Sequence, residues 1–368
     1  MSPPTDPVGA QLEVADALHA LGAEWSRASV AALAGAARLL RGRPPVAWPH
    51  RGASRHEVAA RRGNVTLRRY PAQRAPARAP ILVVASLINK YYVMDLLPGL
   101  SVFEHLAGRG FEIWVLDWGA PGAAGRERTF ADYVDDLIPW GVEQAGRSAG
   151  GGPVATLGYC MGGTMAAMFA ARHPQAVRAL ALLGTPIDFQ KSGLLALWSQ
   201  RRWFDADRMV DAFGNVPPWL LQSAFKALAA ADLPRKLTDL LERADDEAAV
   251  RHYVALESWL EDNVAFPGGV YRQYIRDCYQ DNKLVRGQMV VGGKAIDLAR
   301  ITMPLLVVTA LRDRICEPPS ARALLERAHS REAKLLEFDT GHIGLTTSRR
   351  ALAELWPQIA DWLEVAIG

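Results

Sequence analysis

An α/β fold, with a mostly parallel sheet flanked by helices and a helical insertion over one end of it, is what the sequence predicts. Three observations carry that expectation. From residue 64 onward, short continuously apolar runs alternate with helical stretches, as strands buried on both faces do. One of these runs, Val154-Ala155-Thr156-Leu157, enters Gly158-Tyr159-Cys160-Met161-Gly162 and then a helix of small residues. Between the fourth and fifth core runs lies a stretch, 187–300, rich in helix formers, tryptophans and charges and without a strand period.

With 368 residues and half of them hydrophobic, the chain can bury a large core without metals or disulfides. Cys160, Cys278 and Cys316 are odd in number, far apart and without Cys-x-x-Cys spacing, which speaks against structural zinc and a secreted disulfide framework. A reducing cytoplasm is the expected setting. The N-terminus has no basic leader followed by an apolar core, and no apolar run is long enough to span a bilayer, so a soluble protein is expected. A net charge of +3, from 42 basic and 39 acidic residues, does not suggest a nucleic-acid binder; the arginines between Arg38 and Arg78 read as a solvated basic segment.

In chain order, apolar positions at Leu12, Ala15, Leu18, Leu21 and Trp25, then Val30, Leu33 and Leu39-Leu40, fit one or two amphipathic helices. Pro44-Pro45 and Pro49 end that pattern, and residues 41–63 read as an arginine-rich connector. Val65–Tyr70 alternates as a half-buried edge strand. The core strands are then Ile81–Val84, Ile113–Leu116, Val154–Leu157, Ala179–Leu183, Leu305–Val308 and Leu335–Phe338. Gly150-Gly151-Gly152 reads as a loop. The expected organisation is residues 1–63 as N-terminal helices and connector, 64–186 with 301–368 as the core, and 187–300 as a helical cap where open α/β sheets bind ligands.

The chemistry centres on the Gly-x-Cys-x-Gly turn. A nucleophile elbow places its residue in a strained conformation between strand and helix, and Gly158 and Gly162 leave room for it. The helix beginning at Gly163 points its free amides and positive dipole end at Cys160. A thiol nucleophile needs a base, and His342 in Gly341-His342-Ile343-Gly344 follows the last strand. An acid is expected after the preceding strand, where Asp313 stands in Leu311-Arg312-Asp313-Arg314. Nucleophile, acid, histidine is the chain order of α/β-hydrolases. The oxyanion hole of that fold uses the amide after the nucleophile, here Met161, and a second from Leu87 or Ile88. Asn89, Tyr91 and Tyr159 are candidates for substrate contact; for Asn89, Lys90, Tyr91 and Asp95, a polar turn before a helix is the plain alternative. Cys278 and Cys316 lack a glycine elbow and read as structural thiols. A thiolate exchanges with thioesters and stores the acyl group at similar energy, so acyl transfer is more natural here than ester hydrolysis.

Over residues 64–365 the chain resembles the polyhydroxyalkanoate synthases, and among them the catalytic subunits of the short, two-component class III enzymes. The carriers are Leu87–Leu96, Val115–Gly119, Gly158–Gly163, Tyr274–Leu284, Ile296–Pro304 and Gly341–Gly344. The resemblance implies polymerisation of 3-hydroxyacyl-CoA, of short chain such as 3-hydroxybutyryl-CoA, into polyester with coenzyme A release. Cys160 would carry the acyl chain and His342 deprotonate the thiol, with Asp313 acting on the 3-hydroxyl directly or through His342. It further implies a second, non-catalytic subunit, a homodimer through the cap, work at the surface of polymer granules in the cytoplasm, and no cofactor or metal, coenzyme A being part of the substrate. Two other readings stand beside it: a cysteine α/β-hydrolase or thioesterase, and a non-catalytic granule-associated protein.

Overall fold

The computed structural model describes residues 28–44, 52–74 and 79–367. Its central sheet has eight strands: β1 Glu57–Arg62, β2 Val65–Tyr70, β3 Ile81–Val84, β4 Ile113–Asp117, β5 Val154–Tyr159, β6 Val177–Leu183, β7 Leu305–Ala310 and β8 Ala333–Phe338. Their order across the sheet is β1-β2-β4-β3-β5-β6-β7-β8. The last six in that row run parallel, while β2 is antiparallel to both of its neighbours. Each predicted apolar run is a parallel strand, and the period of two sorts its side chains to opposite faces. Leu82 and Val84 join one core cluster, Ile81 and Val83 the other. Helices Ile138–Ser148 and Met161–Arg172 cover the first face, and Val102–Gly108 and Trp356–Ile367 cover the second.

One strand departs from the expectation. Val65–Tyr70 is not at the edge: β1, within the stretch read as a connector, pairs with it from Glu57↔Arg69 to Arg62↔Val65. Glu57-Val58-Ala59-Ala60-Arg61-Arg62 lies almost wholly exposed on both faces, so it carries no buried side to generate an apolar period. Its hairpin turns at Gly63-Asn64, with Gly63 at φ +59°, a two-residue signal of the Gly-Asn type.

Between β6 and β7 the chain forms a run of helices that includes Ala206–Phe213, Pro218–Leu228, Leu233–Glu242 and Glu247–Glu261, closing with Gly268–Gln273 and a π-helical stretch, Tyr274–Gln280. Two-residue strands Val290–Val291 and Lys294–Ala295 pair beyond it through Gly292-Gly293, a small hairpin within the stretch expected to hold no strand. Helix 28–39 packs Ala34 and Ala37 with Leu240, Val250 and Val254 of these helices and Ala244 of the turn between them. Arg38 is buried there and donates to the carbonyl oxygen of Ala244 at 3.1 Å and to that of Pro44 at 2.5 Å. The earlier part of the amphipathic pattern, from Leu12 to Trp25, lies outside the described residues. Among the described residues no helix is long and apolar enough to cross a membrane, and no cluster of side chains is suited to hold a metal ion.

At the start of β4, Glu112 accepts from Arg69, from Trp114 Nε1 at 2.7 Å and from Ser148 Oγ at 2.7 Å. Burial works to raise this carboxyl, but the three donors outweigh it and hold it below its ordinary 4.5. A depressed carboxyl stabilises the fold above its unfolded value, and that contribution is lost as pH falls through the folded one. Replacing it by alanine takes the acceptor from Trp114 Nε1 and one partner each from Arg69 and Ser148, which keep Glu57 and the Ala145 carbonyl, and Glu112→Ala is expected to lower unfolding stability by roughly 2 kcal/mol, measured by urea denaturation at neutral pH. The deficit shrinks in acid.

Candidate active site

The turn at Cys160 is built from the tight approach of β5 to helix Met161–Arg172. Cys160 has φ 54° and ψ −131°, and with Asn282 it is one of two described non-glycine residues on the left-handed side. Its amide donates to the carbonyl oxygen of Leu183 at 2.9 Å, and its own carbonyl accepts from Gly163 at 2.9 Å, so the strained backbone is pinned on both sides. A Cβ on Gly158 would overlap Gly163 and sit 3.1 Å from the Ala166 Cβ; one on Gly162 would overlap the carbonyls of Val84 and Ala85. A third close approach, Gly163 against the Thr185 side chain, was not anticipated. Cys160 itself is half-buried and touches both core clusters.

The loops after β7 and β8 bring Asp313 and His342 together. Nδ1 of His342 donates to Oδ2 of Asp313 at 2.6 Å, with both side chains buried. A carboxylate only accepts, which places the ring proton on Nδ1 and leaves Nε2 open as the basic nitrogen. The other oxygen, Oδ1, accepts from the amides of Ile315 and Cys316, each at 2.8 Å, so the carboxylate is held at both ends. Burial disfavours the imidazolium, yet the Asp313 charge dominates together with Tyr159 and Cys160, and His342 is pushed well above its ordinary 6.5. Tyr159 packs its ring against His342, centroids 5.2 Å apart, and its hydroxyl donates to the His342 carbonyl at 3.4 Å. Burial keeps that phenol neutral.

Gly184 closes the other side of the histidine. It follows β6 at φ +50°, and a Cβ there would lie 3.0 Å from Cε1 and 3.1 Å from Nδ1 of His342. Gly184→Ala is therefore expected to lose about 1–2 kcal/mol for the left-handed backbone and, by displacing the imidazole, to lower the turnover number more than its loss in thermal stability explains. Parallel melting and activity curves would check this. No sequence pattern marked Gly184, since its neighbour lies across the sheet in another loop.

An aromatic cluster of Phe189, Tyr274 and Tyr279 packs edge to face beside the sulfur, with centroids 4.9 to 5.4 Å apart. Asn282 holds it: Oδ1 accepts from the Phe189 amide at 3.0 Å and Nδ2 donates to Asp188 at 2.8 Å. Cys278 and Cys316 are buried in the same region, and burial pushes both thiols well up. On the opposite side, the Ile88 amide rests on Ser86 Oγ at 3.2 Å, and Met161 begins its helix, where an amide has no intrahelical acceptor.

The residues singled out for substrate contact separate. Tyr159 stands against His342. Asn89 bonds to Asn263 of the inserted helices. Tyr91 is buried under the Arg68 guanidinium, 5.1 Å from its ring centre, beside Tyr70 and Asp95. Asp95 is wholly buried and accepts from the Ser54 amide and hydroxyl, Ser101 Oγ and Tyr70 OH, a structural knot of the kind a polar turn provides.

Comparison with known proteins fits this geometry. A family model described as the alpha/beta hydrolase fold matches residues 89–348. The poly(3-hydroxyalkanoate) polymerase subunit PhaC of Haloferax mediterranei is 33% identical over 314 residues, 84% of this chain and 64% of its own. That of Allochromatium vinosum is 35% identical over 286 residues, 77% of this chain and 80% of its own. This chain thus spans a little under two thirds of the Haloferax mediterranei protein and four fifths of the other. Among solved structures, a hydrolase from Pseudomonas aeruginosa PA01 superposes with a TM-score of 0.54 over 84% of this chain and 99% of its own, at 17% identity, a likeness of fold alone. By these matches the chain belongs to the α/β-hydrolase fold and, within it, to the PhaC family of poly(3-hydroxyalkanoate) polymerase subunits.

Proposed function

We propose that this chain polymerises 3-hydroxyacyl-CoA into polyester, with Cys160 as the acyl carrier. The observation that carries the reading is a cysteine, rather than a serine, in the elbow of a fold that also presents a buried His342–Asp313 pair. In the first half-reaction Nε2 of His342 takes the Sγ proton and the thiolate attacks the thioester carbonyl carbon. The oxyanion is held by the Met161 amide and an amide from Leu87 or Ile88, Leu87 being the less engaged of the two. Collapse breaks the bond to the coenzyme A sulfur, which leaves with the proton from His342. In the second half-reaction a 3-hydroxyl gives its proton to the same imidazole, oriented by Asp313, and its oxygen attacks the acyl carbonyl on Cys160. One ester bond forms, the thioester breaks, and the thiol is restored. Thiol, imidazole and amides account for every step, so the proposal includes no metal or cofactor; coenzyme A arrives with the substrate.

The proposal extends to the setting implied by the family likeness: residues 187–300 as a cap, a homodimer through it, a non-catalytic partner subunit, short acyl chains, and work at a cytoplasmic polymer surface. Incubating the purified protein with 3-hydroxybutyryl-CoA, alone and with a class III partner subunit, and measuring coenzyme A release and product length tests the reaction. Polymer is the expected product. Free 3-hydroxybutyrate in both arms would overturn the polymerase in favour of a thioesterase.

A further inference from the structure

The loop that carries Leu87 and Ile88 is fastened from outside the core. Nδ2 of Asn89 donates to Oδ1 of Asn263, Nε1 of Trp259 donates to the Lys90 carbonyl at 2.8 Å, and the Tyr92 hydroxyl donates to Oδ2 of Asp262 at 2.6 Å. All three anchors come from residues 259–263, the last turn and C-terminal cap of helix Glu247–Glu261.

That end of the helix is itself fixed by side-chain amides. Nδ2 of Asn263 donates to Oε1 of Gln222 at 2.7 Å and to the Leu260 carbonyl at 2.9 Å, while Nε2 of the buried Gln222 donates to the same carbonyl at 2.7 Å. Carbonyls in a last helical turn lack intrahelical donors, so the two amides satisfy an orphan acceptor. They also aim Asn263 Oδ1 at Asn89. The result is a relay, Gln222 to Asn263 to Asn89, that ends one residue from Ile88.

We propose that Asn263 is a positioning residue: acting through Asn89, it sets where the Leu87–Ile88 amides stand relative to the Met161 amide, so that helix Glu247–Glu261 completes the oxyanion hole. This inference rests on the acyl-transfer reading above. Oxyanion donors act over a narrow window of about 2.7–3.1 Å, and a loop released by about 1 Å loses much of their effect on the transition state while substrate binding is largely kept. Ser86 Oγ, which holds the Ile88 amide from the core side, lacks the reach to fix the loop against the insertion.

The test pairs turnover with a readout independent of activity. Asn263→Ala and Asn89→Ala are each expected to lower kcat for coenzyme A release by roughly 10- to 100-fold with KM little changed. The double variant falls no further than the worse single one, because the two side chains act in series. Amide hydrogen exchange across residues 86–92 accelerates in both. Asn263→Asp keeps an acceptor for Asn89 but sets a carboxylate oxygen against Gln222 Oε1 and the Leu260 carbonyl, and is expected to recover little of kcat. If Asn263→Ala does not fold, Trp259→Phe keeps a ring in the core, removes the donor to Lys90 and is expected to move exchange and kcat in the same direction. An unchanged exchange rate, or a raised KM at constant kcat as a direct substrate contact of Asn89 would give, overturns the proposal. A wild-type protein whose coenzyme A release does not depend on Cys160 sinks the acyl-transfer reading instead, while exchange at 86–92 still reports on the relay.

Discussion

Cys160→Ala is expected to release coenzyme A from 3-hydroxybutyryl-CoA at least about 10⁴-fold more slowly than the wild-type protein, because removing a nucleophile that works as a unit with its base removes nearly all of the catalysis they share. The substitution deletes one sulfur and leaves the elbow backbone in place. Its φ of 54° is set by the Leu183 and Gly163 hydrogen bonds and by the glycine contacts on either side, none of which involves the sulfur. The melting temperature is accordingly expected to stay close to the wild-type value. Brief alkylation near neutral pH, read by intact mass, supplies a second measurement. Cys278 and Cys316 are buried and their thiols pushed well up, so a single adduct is expected, and it is absent from Cys160→Ala. Retention of full coenzyme A release by the variant would overturn the mechanism outright.

Five of the six parallel strands were legible because strands covered on both faces are apolar nearly throughout, as Ile81–Val84 and Leu305–Ala310 are, and the edge strand Ala333–Phe338 only through its short run from Leu335. β1 was hidden for the opposite reason. Of its six residues only Ala60 reaches the core, so it has no apolar period, and the Gly63-Asn64 turn is the one local signal it carries. Cys160, Asp313 and His342 could be picked out because each follows its own strand in a fixed chain order, and the chain brings Asp313 and His342 into direct contact. Gly184, Asn263 and Trp259 could not. Their work depends on pairings such as Asn89 with Asn263, 174 residues apart, where two side-chain amides meet and neither hydrophobic periodicity nor turn chemistry leaves a trace. For Tyr91 the sequence leaves substrate contact and a structural turn open side by side, and the ring is buried against Arg68 beside Asp95.

Asp313→Asn is expected to lower kcat by roughly 10³- to 10⁴-fold and to change the pH dependence of what remains. The direction follows from the hydrogen bonds on Oδ1. Two backbone amides, Ile315 and Cys316, donate to that oxygen, so an asparagine side chain orients its carbonyl toward them and presents its NH₂ to His342. Nδ1 must then accept, the ring proton moves to Nε2, and the nitrogen that should take the thiol proton is blocked. In the wild-type protein His342 is raised above 6.5, so kcat/KM is expected to climb with pH through an apparent pKa above that value as the imidazole loses its proton. Without the Asp313 charge, the largest influence favouring the imidazolium is gone while burial still opposes it, and the acid limb moves to lower pH. Stability follows the same linkage. A group raised on folding stabilises the protein fully below its unfolded value, here 6.5, and that contribution disappears as pH rises through the folded value. The stability deficit of Asp313→Asn by urea denaturation is therefore larger at about pH 6 than at about pH 9. A purely structural ion pair would show the stability change and leave the acid limb of kcat/KM where it was.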